Sequence, residues 1–364
     1  MVRSYRIHIL ILGLSLAGGK ISAEELLRNK PTASWSSDNG KVLSSHDDLI
    51  KHATAHKIEI YPPKEADSDE KITRDGLLVC YKGAKANILI CHGFMSNHCD
   101  AGVMRRIFPR GQYNCMTFDF RAHGDKKKCE GQYCTFGRDE ALDVLTAARF
   151  LQEHPDTKDK PIIGFGFSMG ASSLIMAQAK DPLFKALVLD CPFDSSKGII
   201  TRTLGGVKFS ILGYEFNMPG KGLLADYAFH PYIQTLVKKL LKTVAQLNAR
   251  DIKTYICHVS PEDSIKKVDV PCFFIHCKND KKISTDAIKT VFNGAAGYKK
   301  LWLTPGRWHF DSYFYNPEGY TERVRDFIKN ALADNLPQHE DKKIVEDEVD
   351  VLGHGDPKKE EVKS

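Results

Sequence analysis

The chain is predicted to fold as a doubly wound, mostly parallel α/β sheet carrying a helical insertion. Three observations lead there. Short, continuously apolar runs alternate with segments of helical periodicity along most of the chain, the rhythm of a parallel sheet with helices on both faces. The residue types able to do covalent chemistry fall just after the apolar runs, where ligands bind in open α/β sheets. Finally, Gly166-Phe167-Ser168-Met169-Gly170 stands between the run Pro161-Ile162-Ile163-Gly164-Phe165 and the helix-like stretch Ala171–Ala177. A central residue on a sharp strand-to-helix turn needs small neighbours on both sides, and Ser168 would project alone from that turn.

The 364 residues suffice for one large α/β domain with additions, or for two small ones. With 42% hydrophobic and 27% charged residues the composition is that of a folded globular chain. The net charge of +6 is small for this length, and Lys126–Lys128 and Lys238-Lys239 are short, separated runs that read as solvated surface. Nucleic-acid binding, which calls for a concentrated basic stripe, is not expected.

Residues 1–23 read as a secretory signal. Arg3 and Arg6 precede an apolar stretch from Ile9 to Ala17, and Ile21-Ser22-Ala23 offers a small-residue cleavage site. The stretch is too short to span a bilayer comfortably, so a membrane anchor is the lesser reading. The expectation is export, to a periplasm, the secretory pathway or the medium. Residues 24–56 are polar and weakly patterned, a lead-in to a domain spanning 57–333.

That domain opens with Lys57–Tyr61 and Gly76–Tyr81, two runs that read as antiparallel strands. Ala86–Cys91 is continuously apolar at its end, as a strand buried on both faces should be. A helix is expected near Asp100–Phe108, and Cys115–Phe120 is the next buried strand. Ala141, Val144, Leu145, Ala148 and Leu151 recur at helical spacing and stop before Pro155. The elbow follows, then strands at Ala186–Asp190, Cys272–His276 and Lys300–Leu303, with helices near 285–292 and 320–333.

Residues 193–268 are too long for a simple crossover, and their position over the strand ends suits a cap. Their second half carries Ile233, Leu236, Val237, Leu240, Leu241, Val244 and Leu247, an amphipathic helix with Lys238, Lys239 and Lys242 off the apolar stripe. Packing on the sheet flank competes with the cap reading. A membrane surface is a possible partner but not the favoured one, because three lysines contribute little attraction. Residues 334–364 have few apolar side chains and mixed charge, and should be disordered.

Of the ten cysteines, Cys91, Cys115, Cys191 and Cys272 fall within or at the ends of apolar runs and read as small core residues. Cys129 and Cys134 share a polar loop and are the preferred disulfide if the chain is exported. No Cys-x-x-Cys pair occurs, which leaves a metal site without support, and no cofactor is implied.

Ser168 needs a base, and the base needs a carboxylate to hold its tautomer. His309 follows the last strand in Pro305-Gly306-Arg307-Trp308-His309-Phe310, and Asp280 ends the preceding one in His276-Cys277-Lys278-Asn279-Asp280. Asp190 is the alternative acid, whereas Asp311 is too near His309 in sequence to orient it. An oxyanion would be met by the N–H groups of Met169 and of Phe94, in His92-Gly93-Phe94, with His92 shaping that loop.

In these motifs, together with Asp119-Phe120-Arg121-Ala122-His123-Gly124 and Leu189-Asp190-Cys191-Pro192-Phe193, the chain resembles the α/β-hydrolase superfamily, over about residues 57–333. It is most similar to its serine hydrolases with a His-Gly-Phe oxyanion loop, a group of esterase-like and serine aminopeptidase-like proteins. The resemblance implies an α/β-hydrolase fold and hydrolysis of an ester, thioester or amide through an acyl-Ser168 intermediate, with a carboxylesterase or lipase-like enzyme preferred to a peptidase or a non-catalytic binding protein. The substrate would be a small acyl or peptidyl compound. Two positions depart from the pattern: Cys277 and Ala122 stand where similar proteins often have glycine.

Overall fold

The computed structural model describes residues 53–60, 72–125, 129, 132–205, 208–211, 214–217, 227–230, 232, 252–337 and 343–346. Strands β1 (Ala53–Ile60), β2 (Ile72–Val79), β3 (Ala86–Cys91), β4 (Tyr113–Phe118), β5 (Ile162–Phe167) and β6 (Ala186–Asp190) come first. A separate hairpin, β7 (Lys208–Ile211) and β8 (Tyr214–Asn217), follows, then β9 (Cys272–Cys277), β10 (Lys299–Thr304) and β11 (Lys343–Glu346). Nine of them form one sheet in the order β1-β2-β4-β3-β5-β6-β9-β10-β11. The pairs β1–β2 and β2–β4 are antiparallel, and from β4 to β11 every neighbour is parallel. This is the doubly wound sheet the alternation predicts.

Every residue of β3, β4, β5, β6 and β9 is buried, which is why apolar side chains dominate them, with Asn87, Asn114, Thr117, Asp190 and His276 the polar exceptions. Alternate side chains divide between two cores. Leu89, Phe118, Leu187, Leu189, Phe274 and Leu303 face the helices α2 (Glu140–Glu153), α3 (Met169–Lys180) and α6 (Thr285–Gly294). Ile88, Ile90, Phe165, Val188, Phe273 and Trp302 face the last helix, α7 (Pro317–Leu332), through Tyr320, Val324, Phe327 and Ile328. Each large side chain so buried contributes about 1.5–3 kcal/mol against exposure. The sheet is therefore a rigid floor, and the loops at its carboxyl edge inherit fixed starting points.

Several boundaries differ from expectation, each for a local reason. The first described strand, β1, includes Ala53 to His56 ahead of the run expected from Lys57, pairing with β2 along its whole length, Ala53 opposite Val79. The helix expected over Asp100–Phe108 is a short α1 (His98–Gly102) followed by a 3-10 turn, Val103–Ile107. Asn97 starts it early by accepting the N–H groups of Cys99 and Asp100, and Gly102 does not sustain it. The last helix begins at Pro317, where Asn316 caps the N–H of Gly319. The disordered tail expected over 334–364 contains β11, which adds its β-branched residues Ile344 and Val345 to the open edge of β10.

The expected disulfide is absent. Cys134 is buried with its thiol against the Met169 sulfur at 3.5 Å, and the Cys129 thiol donates to the His123 carbonyl at 3.1 Å. Both cysteines are free.

Of the 193–268 insertion, the described parts are residues 193–205, which include α4 (Ser196–Gly205), the hairpin, residues 227–230, Tyr232, and residues 252–268, which include a short α5 (Pro261–Ser264). The predicted amphipathic helix over 233–247, the signal at 1–23 and most of the 24–56 lead-in lie outside the described residues. Among the described residues no helix is long and apolar enough to cross a membrane.

Candidate active site

Ser168 occupies the turn between β5 and α3 with φ 50° and ψ −114°, a region that side-chain-bearing residues seldom enter. The surrounding contacts enforce it. A Cβ on Gly166 would stand 2.6 Å from the Ala171 nitrogen, and one on Gly170 only 2.4 Å from the Cys91 carbonyl oxygen. Both glycines are thus demanded by close approach, as the G-x-S-x-G reading supposes. The Ser168 N–H donates to the Asp190 carbonyl at 2.8 Å, tying the elbow to β6.

His309 and Asp280 converge on this serine from loops after β10 and β9. His309 Nε2 lies 2.9 Å from Ser168 Oγ, and His309 Nδ1 lies 2.6 Å from Asp280 Oδ2. The carboxylate fixes the tautomer: the proton sits on Nδ1, and the Nε2 lone pair faces the serine hydroxyl. Asp280 is itself held, its Oδ1 accepting the N–H groups of Lys282 at 2.8 Å and Ile283 at 3.1 Å. Burial alone would raise the Asp280 carboxyl, but the charge and hydrogen bond of His309 hold it below the ordinary value.

The histidine loop is pinned from beneath. Phe310 packs edge-on against Phe167, with ring centroids 4.6 Å apart. Asp311 accepts the Arg307 N–H at 2.8 Å, closing the loop. Cys277 fills the space below it, its sulfur accepting the Asp311 N–H at 3.3 Å and lying 3.2 Å from Ser312 Oγ. The residue at this departure from the family pattern thus braces the loop. Asp311 turns the chain and does not reach His309.

Asp190, the other candidate acid, points elsewhere. Its carboxyl accepts the Tyr320 hydroxyl at 2.8 Å on the far side of the sheet. Burial, then the neighbouring Cys277, pushes its pKa up to about 8, so it is mostly uncharged at neutral pH. A neutral acid there could not stabilise an imidazolium. The structure brings Ser168, His309 and Asp280 together and leaves Asp190 out.

The two amides named for an oxyanion flank the serine. Met169 N–H opens α3, and Phe94 N–H follows Gly93, where a Cβ would stand 3.6 Å from Ser168 Cβ. Neither amide donates to another group among the described residues. His92 has the expected shaping role. Its Nε2 accepts the Phe120 N–H at 3.0 Å, so its proton resides on Nδ1 and reaches the Gly93 carbonyl at 2.8 Å. Burial first, and then the nearby His123, lowers its pKa to about 3. Phe94 packs on Phe136 and His123, and a buried Arg121–Asp143 ion pair anchors the 119–124 loop behind them.

Two features escaped the sequence reading: the Asp190–Tyr320 pair, and the position of Cys191, whose thiol lies beside the Asp280–His309 pair. The location of Cys191 one residue past the end of β6 was the available signal, masked by its apolar surroundings.

This geometry can now be set beside known proteins. A sequence model described as "Alpha/beta hydrolase family" matches residues 88–324, more than half of the chain. The chain is 25% identical over 247 residues to the uncharacterized protein YqkD of Bacillus subtilis, covering 67% of this chain and 71% of that one. Among solved structures it is similar to the esterase Pf2001 of Pyrococcus furiosus, with a TM-score of 0.53 and 20% identity, covering 79% of this chain and 96% of that chain. It is likewise similar to the peroxisomal alpha-beta-hydrolase Lpx1 of Saccharomyces cerevisiae, with a TM-score of 0.54 and 13% identity, over 79% of this chain and 91% of the yeast one.

Proposed function

Given that the chain belongs to the Alpha/beta hydrolase family, we propose that it is a serine hydrolase working through an acyl-Ser168 intermediate. The observation that carries this reading is the unbroken run of contacts from Ser168 Oγ through His309 to Asp280, at 2.9 and 2.6 Å. Ser168 Oγ attacks the substrate carbonyl carbon as its proton passes to His309 Nε2. Asp280 stabilises the resulting imidazolium, being charged already and buried beside it. The carbonyl oxygen, now negative, is met by the N–H groups of Phe94 and Met169; in other enzymes loss of one such donor costs around 3 kcal/mol. His309 then protonates the departing group, and a water repeats the sequence to release the acid and restore Ser168.

A carboxylic ester is the substrate class favoured, with the 193–268 insertion shaping the acyl side. An alkoxide leaves with less help from the imidazolium than an amine does, so the same three side chains turn over esters more readily than amides. A fluorophosphonate probe tests the reading. One molecule should attach per chain, at Ser168, and none to Ser168→Ala. Absence of labelling in the unaltered protein, or labelling that survives the substitution, would refute it. Chromogenic acyl esters of increasing chain length, run beside aminoacyl amides, then distinguish esterase from peptidase.

A further inference from the structure

Cys191 has no part in the chemistry just described, yet it stands against its centre. It follows β6 with a positive φ of 51°, and its N–H donates to the Ile275 carbonyl of β9 at 2.9 Å. Backbone thus fixes where its side chain goes. The Cys191 sulfur, a carboxylate oxygen of Asp280 and a ring nitrogen of His309 all lie within 4.8 Å of one another. Three donors of the types zinc prefers therefore face one small volume, each from a different loop at the sheet's carboxyl edge.

We propose that Cys191, Asp280 and His309 form an inhibitory binding site for a soft divalent cation of the zinc class. Bonds of about 2.3 Å to sulfur and 2.0–2.1 Å to nitrogen and oxygen would set tetrahedral donors about 3.3–3.6 Å apart. The 2.6 Å contact between His309 Nδ1 and Asp280 Oδ2 would open by under ~1 Å, and the Cys191 sulfur, within 4.8 Å of both, would approach by no more than about 1.3 Å. Asp280 can bind through Oδ2 without losing its place, because Oδ1 keeps its two backbone N–H donors. Those bonds orient the carboxylate as outer contacts orient ligands in known metal sites.

The bonding balances simply. Cys191 releases its S–H proton to solvent and binds as thiolate, and Asp280 binds as the carboxylate it already is. The metal takes the Nδ1 lone pair of His309, whose single proton moves to Nε2. One proton is released per cation, and the two anionic ligands neutralise the metal within a buried site. The consequence for hydrolysis rests on the reading above. With its proton on Nε2, His309 can no longer accept one from Ser168, so the metal blocks the first step without touching the serine. A hard cation such as magnesium has no comparable use for the thiol.

Binding and inhibition are measured separately, so that the site can fail or stand without the hydrolase reading. Cobalt(II) added to the whole protein should bind one equivalent with a near-ultraviolet thiolate-to-metal absorption band. Zinc binding followed by calorimetry in buffers of different ionisation enthalpy should release one proton. Where an ester is hydrolysed, micromolar zinc should inhibit, magnesium should not, and a chelator should restore turnover. Cys191→Ser should keep the unliganded activity and weaken zinc inhibition by about 100-fold or more. Cys99→Ser is the control, because the exposed Cys99 lies 3.4 Å from His98 Nε2 and offers the competing thiol–imidazole pair; its zinc response should be unchanged. The proposal is overturned if Cys191→Ser binds zinc as the parent does, if sensitivity is lost in Cys99→Ser, or if no thiolate band or proton release appears. The last two readouts use the unaltered protein and decide the matter even if Cys191→Ser does not fold.

Discussion

Acidification should destabilise this protein in a window set by histidines, with His92 the largest single source. His92 is 1% exposed, and its neutral ring is built into the loop behind the elbow through the Phe120 N–H and the Gly93 carbonyl. Burial, with His123 5.1 Å away ring to ring, lowers its pKa from 6.5 to about 3. The unfolded chain therefore binds a proton near pH 6.5 that the folded chain refuses until about pH 3. Stability is fully present above pH 6.5 and falls with pH through that interval. At ~1.36 kcal/mol per unit, moving from pH 6.5 to 4.5 removes about 2.7 kcal/mol through His92 alone, a large share of a typical 5–15 kcal/mol. His123, lowered to about 4 chiefly by burial, adds in the same direction, although the two charges interact and do not simply sum. Asp119 and Asp280, whose carboxyls are held below their ordinary values, titrate below this window, whereas Asp190, with its folded pKa near 8, gains stability as pH falls through it and offsets part of the loss, so the histidine is read from the difference between parent and variant. Denaturant unfolding at several pH values between 7 and 4.5 reads the effect. In His92→Gln, whose amide oxygen reaches the Nε2 position and can still accept the Phe120 N–H but cannot titrate, the loss should shrink by about 2–3 kcal/mol. Equal pH dependence in the two proteins would show that His92 is not held neutral, and the reasoning would fail.

Three further outcomes follow from the site. Asp280→Asn should lower kcat by several orders of magnitude with little change in KM, since it removes the charge beside the imidazolium and the preference for the Nδ1 tautomer. Asp190→Asn should leave kcat within about tenfold, because that acid is already mostly neutral and bonded to Tyr320; the opposite ranking in steady-state assays would reassign the acid. Gly170→Ala places a methyl 2.4 Å from the Cys91 carbonyl oxygen and 2.5 Å from that of His92. It should cost about 2 kcal/mol or more in unfolding experiments and lower kcat further by displacing the Phe94 amide. A variant with parental stability would mean that the elbow and β3 do not pack this closely.

What could be seen in the sequence, and what could not, divides along a physical line. Residues whose role depends on local backbone were legible: Ser168 because its turn demands Gly166 and Gly170, and β3 to β6 because burial on both faces leaves them few polar residues beside Asn87, Asn114, Thr117 and Asp190. Roles that depend on which loop packs against which were not. Sequence could offer Asp280 and Asp190 as rivals, both at strand ends, but only packing shows one bonded to His309 and the other turned to Tyr320 across the sheet. The Cys129–Cys134 expectation failed in the same way, since nearness along a chain says nothing about where two Cβ atoms point, and Cys134 points into the core at Met169. β11 was missed because a short charged segment becomes a strand only through the free edge it meets. Cys191 is the sharpest case. Its sequence surroundings describe a core thiol, which it is, yet the fold sets that thiol beside the charged pair on which hydrolysis would depend. A buried residue next to a reactive pair is under two constraints at once, packing and charge. The test of whether Cys191 answers only to the first is the zinc response of Cys191→Ser, because packing alone gives a serine there no reason to change it.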